Sequence, residues 1–314
     1  MSNAEELKLA MPLPTKKRPG RATRVAVCVA AYQAPRVFAT AVAAYRTVGW
    51  KIYAHLDAKI DLGAYRAEMG NAISQVNFIP NRVCIFWSGM SQVDAQFRLF
   101  DAALDGRADR IVYLADDTIP IRSLNEIADA VATNGDQMHH YHFAPDHPAA
   151  IRYQSFAIPD HRATNQRGGT LREVDTAFFD LAAECDGPRR LGKKRLDIWW
   201  GLGYRVLTAK TVRKLMMIAR NDPHLWASFK FSRMPEETLI PMVVANYIRP
   251  LRRYEGPVFM DFSKGHGPLI YRSASDLPVD IPANCLFART FAPDAWAACE
   301  AMVDALRVGV RLAA

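Results

Sequence analysis

Short apolar runs alternate with helically spaced segments over the first 145 residues, and this alternation limits the folds open to the chain. Three runs, RVAVCVAAY (24–32), WKIYAHLD (50–57) and RIVYLADD (110–117), have the nearly continuous apolar character of strands buried on both faces. Segments with the spacing of amphipathic helices lie between and after them, at 38–49, 60–74, 91–106 and 124–135. This order predicts an α/β fold with a Rossmann-type, mostly parallel sheet flanked by helices.

The remaining segments predict shorter strands and a less regular second half. Further strand candidates are VNFIP (76–80), VCIFW (83–87) and DQMHHYHF (136–143). Residues 144–175 are rich in Pro, His, Arg and Gly and predict a long loop, of the kind that often covers a substrate. Three further helices are expected at 209–220, 236–248 and 291–312.

The chain divides into an arm and one expected domain. Residues 1–22 are polar and rich in Pro and Lys, which predicts a flexible basic arm. Residues 23–314 contain no internal repeat and no low-complexity tract, so we expect a single domain there. Its first half, 23–145, carries the sheet, and its second half, 146–314, is the irregular part.

The charge of the chain favours a small phosphate-bearing ligand over nucleic acid. The formal net charge is +8, but the basic clusters are short and lack interleaved aromatic residues. The basic arm, together with Arg307 and Arg311 in the last helix, could touch an anionic membrane face, although a solvated surface is the more ordinary explanation. The oligomeric state stays open.

Cysteine usage and hydropathy indicate the compartment. Five widely spaced cysteines, an odd number, are typical of reduced thiols in a cytoplasmic protein. No apolar stretch reaches the ~18 residues that a membrane helix needs. We expect a cytoplasmic protein, with peripheral contact at the inner face of the membrane as a variant of that expectation.

Acidic residues end two of the predicted strands. Asp57 ends the run at 50–57, and Asp116 and Asp117 end the run at 110–117. Ligands of parallel α/β sheets bind beyond the carboxyl ends of the strands, so these acids are candidates for ligand contacts. Hard cations need several oxygen ligands, and acids are also common turn formers. Metal binding by the adjacent pair is therefore the minority interpretation, and the main one contains no metal site.

Two glutamates begin a predicted helix in SRMPEETLIPMVV (232–244). Proline favours the first helical position, and acids favour the first turn, where free amides attract negative charge. A charged helix start therefore explains Glu236 and Glu237 fully. A catalytic base is the second interpretation, because a hydroxyl that ionises only as its new bond forms can give its proton to such a carboxylate.

Histidines and aromatic residues leave two further patterns open. His139, His140 and His142 share a predicted strand without the cysteines or the HExxH helix of a zinc site, so packing is favoured. His55 lies inside the second strand and is expected in the core. IWWGLGYRVLT (198–208) combines three aromatic residues with two glycines, which is equally typical of a sugar-binding wall and of a core.

Six segments, in chain order, carry a resemblance to a known family. They are KIYAHLD (51–57), FWSGMSQVDAQFRLFDAAL (86–104), RIVYLADDTIPIRSLNEI (110–127), WGLGYRVLT (200–208), RMPEETLIPMVVAN (233–246) and LFARTF (286–291). Together they resemble the core-2/I-branching β-1,6-N-acetylglucosaminyltransferases and the related peptide O-xylosyltransferases. The resemblance implies a GT-A-like fold, with 23–145 as the half that binds the nucleotide sugar and 146–314 as the acceptor and catalytic half.

The same resemblance implies an inverting, metal-independent reaction. A sugar, GlcNAc or xylose, would pass from a UDP-sugar to a glycan or another hydroxyl acceptor without any cofactor. Glu237 matches the family's base by position, with Glu236 beside it. The other expected contacts are Asp57, His55, Asp117, Arg289, Arg272 and Lys264 for the UDP-sugar, and Trp87, Trp200 and Tyr204 for the sugar or acceptor pocket.

The chain departs from the family pattern at several of these positions. Ala115-Asp116 stands where Ser-Gly is usual, and Leu202 and Tyr204 stand where Ser and Trp are usual. Thr290 replaces the lysine of the F-A-R-K-F signature, a residue that helps to neutralise the departing diphosphate. Arg289, Arg272 and Lys264 are the candidates to replace that lysine, and the sequence does not choose among them.

Two other functions fit the same residues. One is a metal-dependent GT-A glycosyltransferase in which Asp116 and Asp117 hold Mn²⁺ or Mg²⁺. The other is a non-catalytic carbohydrate-binding protein, in which Glu236 and Glu237 serve only as the charged first turn of a helix.

Overall fold

The structure, a computed structural model, describes most of the sheet-forming half and much of the remainder. The described residues are 22–143, 190–191, 194–195, 197–230, 232, 234–250, 256–265 and 267–308. In them the strands are β1 (Val25–Ala31), β2 (Lys51–Leu56), β3 (Val76–Phe78), β4 (Arg110–Ala115), β5 (Ile119–Pro120), β6 (Gln137–Met138), β7 (Tyr141–Phe143), β8 (Arg190–Leu191), β9 (Lys194–Arg195), β10 (Ile198–Trp200), β11 (Arg205–Thr208), β12 (Val258–Phe259) and β13 (Phe287–Ala288). The α-helices there are α1 (Pro35–Thr47), α2 (Leu62–Met69), α3 (Met90–Asp105), α4 (Leu124–Thr133), α5 (Ala209–Asn221), α6 (Pro223–Lys230), α7 (Pro235–Val243) and α8 (Trp296–Arg307).

Six of these strands form the central sheet, in the order β3-β2-β1-β4-β11-β6. The first four are parallel to one another, whereas β11 is antiparallel to both β4 and β6. Helices cover both faces of this sheet. The predicted α/β fold with a mostly parallel sheet is therefore confirmed.

The apolar runs form strands because both faces of the sheet are covered. Val27 in β1 pairs with Ile52 on one side and Val112 on the other, and all three are fully buried. Alternate residues of β1 belong to two separate cores. Val27 and Val29 pack in the core that includes α1 and α8, and Cys28 packs in the core that includes α3 and α5. Apolar residues are thus needed at every position of the strand.

The helix predicted at 91–106 is present as α3, and Gly106 ends it. A Cβ atom at Gly106 would lie 2.1 Å from the hydroxyl of Tyr53 in β2. A side chain at this position would require the Tyr53 hydroxyl to move, so glycine permits the observed packing of the end of α3 on the sheet.

The strand expected at 83–87 is wrong. The backbone there is satisfied by side chains instead of by a neighbouring strand. The N–H of Val83 donates to Nε2 of His55 at 3.0 Å, and the N–H of Ile85 donates to Oδ1 of Asp57 at 3.2 Å. An apolar run is ambiguous where polar side chains of another strand offer such acceptors.

Other boundaries differ from the expected ones. The single strand expected at 136–143 is two strands, because β6 joins the central sheet while β7 pairs with β10. The helix expected at 236–248 is α-helical only to Val243 and continues as a π-helix at Val244–Ile248, three residues after Pro241. Proline removes an amide donor and crowds the preceding turn, which accounts for the irregularity. Helix α6 was not expected.

Strands β5, β12 and β13 form a separate three-stranded sheet, in the order β12-β13-β5. Strand β13 runs antiparallel to β5 and parallel to β12. The arm (apart from Ala22), the loop expected at 144–175 and the boundary between the two expected halves lie outside the described residues. Among the helices of the described part, none combines the length and the apolar character needed to cross a membrane.

Candidate active site

The carboxyl ends of the parallel strands meet at one edge of the sheet, and the predicted acids lie there. Asp57 follows β2, and Asp116 and Asp117 follow β4. Strand β13 brings Arg289 to the same edge, with its Nη2 atom 2.6 Å from Oδ2 of Asp117. This edge and the N-terminus of α7 together form the candidate active site.

Glu237 is held at the start of α7 by contacts with both its backbone and its side chain. The indole Nε1–H of Trp200 donates to Oε2 of Glu237 at 2.5 Å. The N–H of Gly201 donates to the carbonyl of Glu237 at 2.7 Å, so α7 and the end of β10 are joined at this residue. Met234 begins the helix in the left-handed conformation, at φ 49°. The carboxylate therefore has a defined position and remains only partly buried.

Arg205, a buried arginine, also holds the start of α7. Arg205 is fully buried in β11, and its Nε donates to the carbonyl of Gly203 at 2.7 Å while Nη2 donates to the carbonyl of Glu236 at 2.9 Å. Burial lowers the pKa of Arg205 to about 10, against the opposing influence of Tyr113 and then Glu236, so the guanidinium stays charged at neutral pH. Arg205 thus fixes the backbone of Glu236 relative to the 202–203 turn.

A second cluster links this helix start to the strand-end acids. The guanidinium carbon of Arg289 lies 4.6 Å from the ring centroid of Tyr204, the neighbour of Arg205. The Tyr204 ring stacks on Tyr113 of β4, with centroids 6.4 Å apart. Burial is the largest influence and opposes the charged form of Arg289, but Asp117, Tyr32 and Asp116 together outweigh it, so the pKa of Arg289 lies above its ordinary value. A permanent cation therefore sits beside Tyr204.

The loop before α3 brings Trp87 close to the start of α7. The N–H of Met234 donates to the carbonyl of Ser88 at 2.9 Å, and the N–H of Ser88 donates to Oε1 of Gln92 at 2.8 Å. Ser88 adopts a positive φ of 69°, which is uncommon for a residue with a side chain and is often found at functional sites. The adjacent Trp87 is 68% exposed, so its ring is presented to solvent close to the start of α7.

The part of the sequence that contains most of these residues matches one known family. A family model described as Core-2/I-Branching enzyme matches residues 45–247, which is well over half of the chain. The chain belongs to the Core-2/I-Branching enzyme family. The match includes Trp87, Asp117, Trp200 and Glu237, whereas Arg289 lies beyond it.

Other comparisons add little to this assignment. No curated protein matches this Core-2/I-Branching chain. Among solved structures, one similar chain is the apo-form glycosyltransferase GlyE of Streptococcus pneumoniae TIGR4, with 11% identity, 90% of this chain covered and a TM-score of 0.39. This chain spans 62% of the length of that chain.

Asp116 of this Core-2/I-Branching chain anchors the start of α1. Its Oδ2 atom accepts the backbone N–H groups of Tyr32, Gln33 and Ala34 at 2.8, 2.9 and 3.0 Å, and the hydroxyl of Tyr65 at 2.9 Å. Burial, followed by the charge of Asp117, raises the pKa of Asp116 above its ordinary value. One carboxylate oxygen is therefore fully committed to the protein itself.

Asp57 and His55 organise the loop at 83–87. Asp57 is 6% exposed and binds Lys59 Nζ at 2.7 Å in addition to the N–H of Ile85. His55 is fully buried, and burial lowers its pKa to about 4. Its Nε2 accepts from Val83. A direct contact of either residue with a UDP-sugar stays a prediction, and the observed role of both is to hold this loop.

The three candidate replacements for the missing lysine lie in different surroundings. Arg289 is buried beside Asp117, whereas Arg272 is exposed and pairs with Asp294 at 2.6 Å. Lys264 is also exposed. Thr290 is 9% exposed, and its carbonyl accepts the N–H of Tyr271 at 2.8 Å. Of the three cations, the structure joins only Arg289 to other predicted site residues through a described contact.

Two residues of the site were not singled out from the sequence as functional. The sequence gives no signal at Arg205, because an arginine beside apolar residues is usually exposed, whereas here it is fully buried. His139 was expected only to pack, and it does contact Trp200, with ring centroids 5.1 Å apart. The pairing of Trp200 with Glu237 joins residues 37 positions apart, which no local pattern indicates.

Proposed function

We propose that this Core-2/I-Branching enzyme is an inverting, metal-independent glycosyltransferase that uses Glu237 as its general base. The donor is a UDP-sugar carrying GlcNAc or xylose, and the acceptor is a glycan or another hydroxyl compound. The proposal rests on the family assignment together with one observation. That observation is the contact of the Glu237 carboxylate with the Trp200 indole at the start of α7.

The position of Glu237 suits proton transfer during inversion. As the acceptor oxygen attacks the anomeric carbon, its proton passes to the Glu237 carboxylate. The new carbon–oxygen bond forms while the bond between that carbon and the diphosphate oxygen breaks, and the electron pair leaves with the diphosphate. The Trp200 N–H holds the carboxylate in place, and a hydroxyl that ionises only as its new bond forms can give its proton to such a carboxylate.

Arg289 is the best-supported partner for the departing diphosphate. Its guanidinium is kept charged by Asp117, and its Nε atom is buried without a hydrogen-bond partner among the described residues. A buried donor of this kind needs an acceptor, and a phosphate oxygen is a suitable one. Positive charge at this place would stabilise the negative charge that develops on the leaving group.

The aromatic residues around the start of α7 suit a sugar. Trp87 presents an exposed ring, Trp200 contacts Glu237, and Tyr204 lies beside Arg289. Aromatic walls with a few polar groups are typical of ligand sites.

The cytoplasmic location and a peripheral membrane contact stay predictions.

The contacts of the strand-end acids support a reaction without a metal ion. Oδ2 of Asp116 already accepts four hydrogen bonds, and Oδ2 of Asp117 is bound to Arg289. The Oδ1 atoms of both acids are buried without a hydrogen-bond partner among the described residues, but the guanidinium of Arg289 lies beside them, and its positive charge opposes cation binding. We therefore expect EDTA to leave the transfer rate unchanged. Loss of the rate with EDTA and its recovery with Mn²⁺ would establish the metal-dependent alternative instead.

The direct test of the base is Glu237→Gln. We expect turnover to fall by about 10² to 10⁴-fold, the range for loss of a general base, while calorimetry shows unchanged binding of the UDP-sugar. The matched control is Glu300→Gln on the surface of α8, which should keep full turnover. A chain that binds carbohydrate without catalysing transfer would show no turnover in either variant and an unchanged affinity for the sugar.

A further inference from the structure

His139 lies directly behind the indole that holds Glu237. Its ring is 9% exposed and meets the Trp200 ring at 90°, with centroids 5.1 Å apart. Tyr141 completes the cluster, because it contacts His139 edge-on at 4.7 Å and stacks on Trp200 at 6.0 Å. Phe143 of the same segment also contacts Trp200, with centroids 6.1 Å apart, so three rings of residues 139–143 surround the indole, and that of His139 is perpendicular to it.

A hydrogen bond fixes the orientation of the His139 ring. Its Nδ1 atom accepts the backbone N–H of Leu202 at 3.2 Å. An accepting Nδ1 requires the ring hydrogen at Nε2, so the neutral imidazole has one defined tautomer. Leu202 lies two residues after Trp200, and the bond therefore ties the ring to the turn that carries the indole.

The backbone of His139 is enclosed by two glycines. A Cβ atom at Gly201 would lie 1.7 Å from the carbonyl oxygen of His139, and one at Gly256 would lie 2.8 Å from its backbone nitrogen. Gly256 also has a φ of +82°, which a residue with a side chain rarely adopts. Segments from three parts of the chain therefore close around this histidine.

We propose that His139 is a positioning residue, which sets the angle of the Trp200 indole and thereby the position of the Glu237 carboxylate. The proposal rests on the function proposed above for Glu237. A hydrogen bond weakens steeply as its angle departs from linear, so an indole that tilts no longer holds the carboxylate. Displacement of a catalytic group by about 1 Å can lower a rate by about 10²-fold without any loss of substrate binding.

The first test reads the contact itself, independently of activity. The Nε1–H resonance of Trp200, identified by its loss in Trp200→Phe, is recorded by ¹H–¹⁵N NMR in the full chain. Glu237→Ala supplies the position of this resonance without the hydrogen bond. We expect His139→Ala to shift the resonance toward that position. His139→Asn should keep it close to that of the unaltered protein, because the amide oxygen can accept from Leu202 as Nδ1 does.

The second test reads catalysis. We expect His139→Ala to lower kcat by about 10- to 100-fold with an unchanged affinity for UDP, and His139→Asn to recover most of the rate. The matched control is His142→Asn on the same segment, whose ring contacts Trp199 instead of Trp200. It should leave both the resonance and kcat unchanged. If His139→Ala does not fold, His139→Phe, which keeps a ring but lacks the acceptor, takes its place.

The outcomes separate this inference from the proposed function. An unchanged Trp200 resonance together with an unchanged kcat in the His139 variants overturns the positioning role. Full turnover in Glu237→Gln overturns the proposed base, and the NMR result then still decides whether His139 orients the indole. A shifted resonance with reduced kcat in His139→Ala, restored in His139→Asn, supports the positioning role.

Discussion

Two regions of the described chain, the central sheet and the part after residue 197, are stabilised by different kinds of contact. Around the central sheet, β1, β2 and β4 are six or seven residues long and nearly all buried. After residue 197, strands β10 to β13 are two to four residues long. There separate segments are joined through the contacts of individual side chains, notably Arg205, Trp200 and Arg289.

This difference predicts two kinds of sensitivity to substitution. In the sheet region many apolar residues share the stabilisation, so losing one lowers stability and leaves the geometry of the site unchanged. In the site region one polar side chain often determines the position of a whole turn. Losing it should disturb catalysis more than its contribution to stability suggests.

The largest difference between the regions is expected for Arg205→Met. The change leaves the partly buried carbonyls of Gly203 and Glu236 without this donor. Unsatisfied buried acceptors cost about 1–3 kcal/mol each, and since these two are only partly buried we expect unfolding by urea to show a loss of about 2–3 kcal/mol in all. Since the start of α7 is then no longer fixed, kcat of the folded protein should fall by about 10²-fold.

The matched control for Arg205→Met is Ile52→Ala in the sheet region. Ile52 is fully buried in the middle of β2. Its truncation should cost about 2–5 kcal/mol, a loss similar in size to that of the arginine variant. The kcat of the folded fraction should be unchanged. Equal losses of kcat in the two variants would remove the distinction between the regions.

His55, inside β2, is expected to make the stability of the protein depend on pH. His55 has a folded pKa of about 4, lowered by burial from 6.5. The unfolded chain therefore binds the proton first as the pH falls. The stability that neutral His55 provides is fully present above about pH 6.5 and is lost between about pH 6.5 and 4. At 1.36 kcal/mol per pH unit the loss is about 3 kcal/mol.

The variant that tests this is His55→Gln, whose amide oxygen can accept from Val83 as Nε2 does. We expect the free energy of unfolding of His55→Gln to fall less than that of the unaltered protein between pH 7 and pH 4. His142→Gln, an exposed change, should retain the full dependence. A His55→Gln curve parallel to that of the unaltered protein would assign the acid sensitivity to other groups.

The same contrast explains what could be predicted from the sequence. The strands around β1 were predicted because apolar periodicity reports directly on burial between two helical layers. The run at 83–87 was misjudged, since its apolar character is the same whether another strand or the side chains of His55 and Asp57 satisfy its amides. Helix α6 carries Pro223 at its start and Leu225 and Phe229 four residues apart, signals that could have revealed it.

The site could be predicted only through the family resemblance. Glu237 and Trp87 were proposed from motifs, but the contact that fixes Glu237 joins separate segments. The pairing of Asp117 with Arg289 spans 172 residues. Such contacts depend on how the short strands assemble, and periodicity carries no information about that assembly. The sequence also could not choose among Arg289, Arg272 and Lys264, because each is an isolated cation in its local segment.

The smallest effect is expected for Trp87→Ala, which tests an exposed residue of the site. Trp87 is 68% exposed, so its loss should change the free energy of unfolding by less than about 0.5 kcal/mol. If its ring supports the acceptor, the KM for the acceptor should rise by about 10-fold, because an aromatic contact contributes about 0.5–1.5 kcal/mol beyond the area it buries. The measurement is an acceptor titration at saturating UDP-sugar, with Met217→Ala on α5, another exposed apolar residue, as the control. An unchanged KM with a reduced melting temperature would instead assign Trp87 to holding its own loop, and that would extend the dependence on single side chains to the rim of the site.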